Sequence, residues 1–434
     1  MGTKKELVRG IGFLGIAVLV LNSMVGAGIF ALPTEIAATA GKLSPWLFLI
    51  VGVLVLTIVL SFAELASYFQ TSGGPVLYTK TAFGPLVGFS TGWLLYISRV
   101  SAFAANATVI PIFLGSYWPA LADGPGRAIV ICLVCVGLTA VNYVGVKDGL
   151  RAVGVLTFLK LAPVVLMIVL GLAYVTPDTL VPDALPQLDT LGATTLLLIY
   201  AFVGFESATI VSGETMNPRS TMPRSLVATV LGTAILYFLI VLVFIAVLPG
   251  ASNEGATLID VGRKLAGPVG AAAITFAAIF SVTGNLSAIM LAVPRLTFAL
   301  SDQRLLPEWF GAVHERYATP ANSVLFLGAL ALAFALSGSF AFLAAASSLT
   351  RLICYFLSIA ALPSIRRNAD QETLANAYRL KGGYAIPAIA LLLCVWIAFH
   401  SDAKAWLLTG GLLLLGLLLY AVARQRQPVR SAAD

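Results

Sequence analysis

Residues 22–30 read Asn22-Ser23-Met24-Val25-Gly26-Ala27-Gly28-Ile29-Phe30, in the middle of a hydrophobic segment long enough to span a membrane. Gly26 and Gly28 flank one small residue at mid-bilayer depth, which favours a break in the helix. A break there frees backbone N–H and C=O groups where lipid cannot satisfy them. Such backbone is tolerated only where it is buried in protein or lines a cavity. A second interruption is predicted at Tyr200-Ala201-Phe202-Val203-Gly204-Phe205-Glu206. Paired broken helices in two halves of a chain point to a binding site near the bilayer midplane.

Composition supports a membrane setting. The chain has 434 residues, of which 59% are hydrophobic and 10% charged, and a mean hydropathy of +0.97. Soluble domains carry about 25% charged residues. Apolar segments of membrane-spanning length recur along the whole chain, so it reads as an all-α polytopic membrane protein. The first segment is too long for a cleavable signal peptide and is expected to be retained. Cys132 and Cys135 form a C-x-x-C inside an apolar segment with no neighbouring His. Two small residues on one helix face explain it better than a metal or redox site.

Twelve spans are predicted, at 11–40, 45–70, 84–116, 126–145, 150–175, 191–215, 225–248, 268–300, 321–337, 341–365, 384–400 and 404–423. Residues 1–424 form a single transporter-like domain, with 425–434 as a tail. With the N-terminus inside, only Lys42, Arg127, Arg263, Lys264 and Lys404 fall outside, and Arg99, Lys160 and Arg351 fall within spans. The remaining Lys and Arg residues lie on the inner side, so both termini are expected to be cytoplasmic. The net charge of +7 is thus a topological signal and not a nucleic-acid one. The segment Ala256–Ala266 reads as a helix along the outer surface.

A series of motifs follows on the inner side: Phe62-Ala63-Glu64-Leu65, Gly73-Gly74-Pro75, Ala82-Phe83-Gly84, Gly88-Phe89 and Gly92-Trp93. Gly213-Glu214, Asn217-Pro218-Arg219, Pro223-Arg224, Pro294-Arg295-Leu296-Thr297-Phe298-Ala299, Leu305-Leu306-Pro307 and Thr319-Pro320 come after them. Gly73-Gly74-Pro75 is a turn signal, and Asn217-Pro218 is expected to stop the sixth helix. In order and spacing these motifs resemble the amino acid–polyamine–organocation (APC) family of permeases over spans 1–10. The resemblance implies a LeuT-type 5+5 inverted repeat with helices 1 and 6 broken. Residues 11–175 would form the first repeat and 191–365 the second, with two extra helices in 384–423.

The resemblance also implies a site. Backbone N–H groups of Gly26, Ala27 and Gly28 would take a substrate carboxylate, aided by a half-helix dipole. Carbonyls of Met24, Tyr200 and Val203 would take its ammonium. The competing reading of these small residues is close helix packing. Lys160 lies in mid-span, where an ammonium costs about 2.5–3.5 kcal/mol to insert. In sodium-independent members a lysine at the matching position replaces a sodium ion. Lys160, with Ser281, is therefore a candidate for proton coupling, or else a static tether to the first span. Glu206 is a candidate gate or proton sensor. Arg99 either faces the side-chain pocket or pairs with Glu206 away from it, and the pairing is favoured. Phe202 and Phe205 are candidate lids, and Asn285 is a pocket polar group. Arg351 reads as a structural or gating cation. No tryptophan occurs between 268 and 308, which argues against an arginine/agmatine exchanger.

The expected function is a sodium-independent permease for an L-amino acid, proton-coupled or exchanging, in a bacterial inner membrane. No cofactor is implied, and the partners are a small-molecule substrate and the bilayer, without nucleic acid. A homodimer is left open. A polyamine or organic amine carrier and a permease-like nutrient sensor stand as alternatives. No HExxH, no paired catalytic carboxylates within spans and no channel-filter signature occur, which argues against an intramembrane enzyme or a channel.

Overall fold

A computed structural model describes residues 11–69, 73–144, 150–182, 188–210, 215–250 and 255–425. Gly213-Glu214, Lys147, the first ten residues and nearly all of the 425–434 tail lie outside these. Among the described residues the chain is helical throughout, without strands. The first segment is broken as expected, into α1 (Phe13–Met24) and α2 (Gly28–Ala40). Then come α3 (Ser44–Tyr68), a short α4 (Gly74–Phe83), α5 (Pro85–Gly115), α6 (Gly124–Val144) and α7 (Leu150–Gly171).

The second half repeats the pattern with α8 (Leu188–Phe202) and α9 (Glu206–Ile210) separated by a break. They are followed by α10 (Pro218–Val247), α11 (Leu258–Asp302), α12 (Ala321–Ser337) and α13 (Phe340–Ala360). Two short helices, α14 (Leu362–Asn368) and α15 (Gln371–Asn376), lead to α16 (Ala385–Phe399) and α17 (Ala403–Gln425). Among the described residues, eight helical stretches are long and apolar enough to cross a membrane, and four shorter apolar helices, including α1 and α12, accompany them. The exterior exposes Leu133, Phe158, Val269, Phe399 and Leu407. Such a surface suits lipid and would be an aggregation hazard in water.

Local chemistry explains the element ends, and two differ from expectation. Pro218 does not stop a helix but opens one. It stands at the start of α10, where its missing N–H costs nothing, and Asn217 before it takes the left-handed φ of 45°. The Gly73-Gly74-Pro75 turn leads into an additional helix, α4, with Gly73 and Gly74 at φ 152° and 51°. In α11 the leading stretch is helical from Leu258. Thr257 caps it by accepting from Ile259 N, while the Asp260 carboxylate accepts from Thr257 N, a reciprocal capping box. Ala266 and Gly267 then interrupt the helix, just before the segment expected to span from 268.

The broken helices sit at the centre. α3 packs along α10, and α10 packs on α1, while α8 meets both α2 and α3; α5, α7, α11 and α13 surround this bundle. Two rims close the ends. At the rim rich in Arg, Arg366 donates Nε and Nη2 to the Glu64 carboxylate at 2.7 Å each. Leu380 N and Tyr68 OH also donate to Glu64. At the opposite rim Lys42 pairs with Asp178 at 3.0 Å, and Trp46 Nε1 donates to the Leu180 carbonyl.

Breaking a buried ion pair from one side leaves an uncompensated charge and costs about 3–5 kcal/mol. Glu64 is fully buried and the Arg366 side chain is only 6% exposed, so the pair falls in this range. Glu64→Ala is therefore expected to destabilise the protein by about 3–5 kcal/mol in detergent unfolding. Glu64→Ala/Arg366→Ala should recover part of the loss, as read by the thermal midpoint.

Candidate functional site

The first break leaves a run of carbonyls, at Asn22 through Gly26, without helical partners. Buried backbone polar groups need partners, and side chains from three surrounding helices supply them. Lys160 of α7 donates Nζ to the Asn22 carbonyl (3.3 Å), the Asn22 Oδ1 (2.8 Å) and the Val25 carbonyl (2.7 Å). Ser281 of α11 donates to the Val25 carbonyl at 3.1 Å and lies 3.3 Å from that of Gly26. Asn285, one turn on, donates Nδ2 to the Ser23 carbonyl at 3.4 Å. Tyr237 of α10 reaches the Met24 carbonyl at 3.1 Å and that of Ala201 at 3.2 Å. One hydroxyl therefore bridges the two breaks. Lys160 also sits at the carbonyl end of α1, where the half-helix dipole favours a cation.

The N–H side is held in a similar way. Ala27 N donates to Asn106 Oδ1 of α5 at 3.3 Å, which also accepts from Tyr200 OH at 3.0 Å. Asn106 Nδ2 donates to Asn285 Oδ1 at 2.8 Å. Glycine is required where the breaks touch. Gly204 has φ 118°, and a Cβ there would lie 2.7 Å from the Ser23 carbonyl oxygen. A Cβ on Gly28 would meet Tyr200 and Ala201, and one on Gly26 would meet Asn285, each within 3.4 Å.

Between the breaks lies a narrow cleft of about 20 Å³, lined by Ser23, Met24, Gly26, Ala27, Gly28, Arg99, Ala102, Asn106, Tyr200, Val203, Asn285, Ile289 and Arg351. That is room for about one water, so the cleft must widen to admit an amino acid. A larger cavity of about 610 Å³ opens at the Arg-rich rim, beside Ser67, Arg219, Arg224 and Tyr378. It touches neither break.

Beside the cleft, Glu206 accepts from four donors. Arg99 Nη2 and Arg351 Nη1 both donate to Oε1 at 2.9 Å. Tyr355 OH donates to Oε2 at 2.9 Å, and Gly204 N donates to it at 3.0 Å. The carboxylate thus fixes the second break from within. Arg99 also donates to Ser207 Oγ, and Arg351 Nε donates to Ser98 Oγ.

The structure brings together nearly all of the residues expected at the site. Arg99 does not choose between pocket and pairing: it lines the cleft and bridges Glu206. The Met24 carbonyl, expected to meet a substrate ammonium, already accepts from Tyr237 and Gly26 N. Lys160 and Ser281 converge on the Val25 carbonyl. Phe202 and Phe205 stand apart from the cleft. Phe202 packs on Phe48 and Tyr237, and Phe205 on Phe62 and Tyr355. In this conformation they wedge the break from behind and do not cover the cleft. Asn106, Tyr237 and Tyr355 are absent from the residues expected at the site, and Asn22 is expected only as part of the first break. Asn106 carried a usable signal, a lone amide in a long apolar helix.

Paired broken helices enclosing a small polar cleft define a carrier-type membrane protein. A family model described as amino acid permease matches residues 11–410. The chain belongs to this family, within the APC group. It is 27% identical to a methylthioribose transporter of Bacillus subtilis over 96% of this chain and 93% of the relative. It is 26% identical to a branched-chain amino acid permease of the same organism, again over 96% and 93%. An uncharacterized transporter of Mycobacterium tuberculosis is 29% identical over 96% and 92%.

Tyr237→Phe should cost about 1–3 kcal/mol, the penalty of removing the hydroxyl from the buried Ala201 carbonyl and leaving that of Met24 with Gly26 N alone. Thermal unfolding in detergent reads this directly. Gly204→Ala should add about 1–3 kcal/mol of backbone strain and force the two breaks apart. An unchanged midpoint in both variants would contradict the contact between the breaks.

Proposed function

We propose that the protein is a sodium-independent permease that moves an L-amino acid across a cell membrane by alternating access. The observation that carries this reading is the meeting of two helix breaks around one closed polar cleft. The N–H groups of Gly26, Ala27 and Gly28 would bind the substrate carboxylate at the start of α2, where the half-helix dipole is positive. Carbonyls at the breaks, those of Tyr200 and Val203 with Met24, would receive the ammonium. Asn106 holds the Ala27 N–H in the closed form and would yield it to the carboxylate.

The packing of α1 on α10, and of α2 and α3 on α8, supports a LeuT-type inverted repeat. The Arg-rich rim supports an orientation with that rim, and both termini, facing the cytoplasm. Sodium independence rests on Lys160, whose ammonium occupies the carbonyls of the first break where a metal cation would otherwise sit. The same position makes Lys160, with Ser281 beside it, the group to exchange a proton as the break opens. The family name and the branched-chain amino acid permease relative support an amino acid. The methylthioribose transporter relative leaves room for a related organic solute.

Ligands that bind only the folded state raise its apparent stability. A thermal-shift screen of purified protein should show stabilisation by L-amino acids and none by amines lacking a carboxylate. Stabilisation by amines alone would overturn the carboxylate assignment. In proteoliposomes, uptake by the wild type should depend on pH, and Lys160→Ala should remove that dependence. A pH profile unchanged by Lys160→Ala would contradict proton coupling through this residue.

A further inference from the structure

The two arginines beside the cleft are not matched by the acceptors around them. Arg351 is buried and lines the cleft, yet its Nη2 has no hydrogen-bond partner among the described residues. Arg99 lines the same cleft and is only partly buried, its side chain 18% exposed. Glu206 is their one carboxylate among the described residues. It cannot balance a second charge, because its Oε1 already accepts from both guanidinium groups and its Oε2 from Tyr355 and Gly204. The remaining acceptors, Ser98 Oγ and Ser207 Oγ, are neutral. Lys160 differs, since it rests on the negative end of a half-helix. The arginine pair therefore leaves one positive charge and both N–H donors of Arg351 Nη2 unanswered in a low-dielectric interior, which is costly unless a ligand answers them.

We propose that the cleft selects an amino acid carrying a second negative charge on its side chain, with Arg351 and Arg99 as the receptor for that charge. The proposal rests on reading the cleft as the substrate site. Its backbone end would hold the α-carboxylate, while the arginines on the facing helices α5 and α13 take the side-chain carboxylate. Guanidinium groups suit this task because their planar fork matches a carboxylate in geometry as well as charge. The same surplus charge rejects lysine, arginine and polyamines, whose cationic ends would face two arginines.

The test is calorimetric titration of the purified full-length protein with L-aspartate, L-glutamate, their amides L-asparagine and L-glutamine, L-leucine, L-lysine and putrescine. One of the acids should bind at least about tenfold more tightly than its amide, the scale of one charge-assisted hydrogen bond. Lysine and putrescine should not bind. Arg351→Gln should erase the acid-over-amide preference, and Arg99→Gln, which alters the less buried partner, should reduce it. Leucine or an amide binding as tightly as the acids would overturn the charge receptor and leave the permease reading standing. Binding of lysine or putrescine would overturn it as well. A cooperatively folded protein that binds no amino acid would overturn the permease reading, and this proposal with it.

Discussion

The structure depends on the carbonyl groups that the first helix break exposes between Asn22 and Gly26. In a bilayer such groups have no water to turn to, and each left unpaired costs several kcal/mol. The fold answers them one by one, with Lys160 from α7, Tyr237 from α10, and Ser281 and Asn285 from α11. The helices that surround the central bundle are thus tied to it by polar bonds at the level of the break, inside otherwise apolar packing. This is why the break can persist as a defined shape. It also gives the break a way to change, because hydrogen bonds between elements can be exchanged for bonds to a ligand.

The second break is held differently. Gly204 lies against Ser23, so the two interruptions are in direct contact, and Glu206 folds back to accept from the Gly204 N–H. The same carboxylate gathers Arg99, Arg351 and Tyr355. Movement of α9 would therefore be felt at α5 and α13, and a ligand reaching the arginines would compete for the bonds that fix this break. On the proposed reading, substrate recognition and the position of the half-helix would share one set of side chains. That sharing is the physical condition for a ligand to shift a conformational equilibrium, which requires differential contacts in the two states.

Much of this was legible in the sequence. Gly26 and Gly28 inside an apolar segment announced the first break, and Gly204 the second. Lys160, Arg99, Arg351 and Glu206 stood out because charges inside spans are rare and costly. What the sequence could not give was direction. Helices buried on every side lack a strong polar face, so periodicity does not tell which way a residue points. Phe202 and Phe205 were therefore expected over the cleft and lie behind the break. Tyr237 was overlooked because a tyrosine in an apolar helix reads as packing until its hydroxyl is seen between two carbonyls. Pro218 is ambiguous in the sequence because proline both ends and begins helices, and only the left-handed Asn217 before it decides which.

The central claim is that substrate binds between the two breaks. The measurement that tests it most directly is an experimental structure with a transported amino acid bound. The account predicts the α-carboxylate within hydrogen-bond distance of the Gly26–Gly28 N–H groups, with Asn106 displaced from Ala27 and the cleft widened. Substrate in the cavity at the Arg-rich rim, with both breaks unchanged, would contradict it.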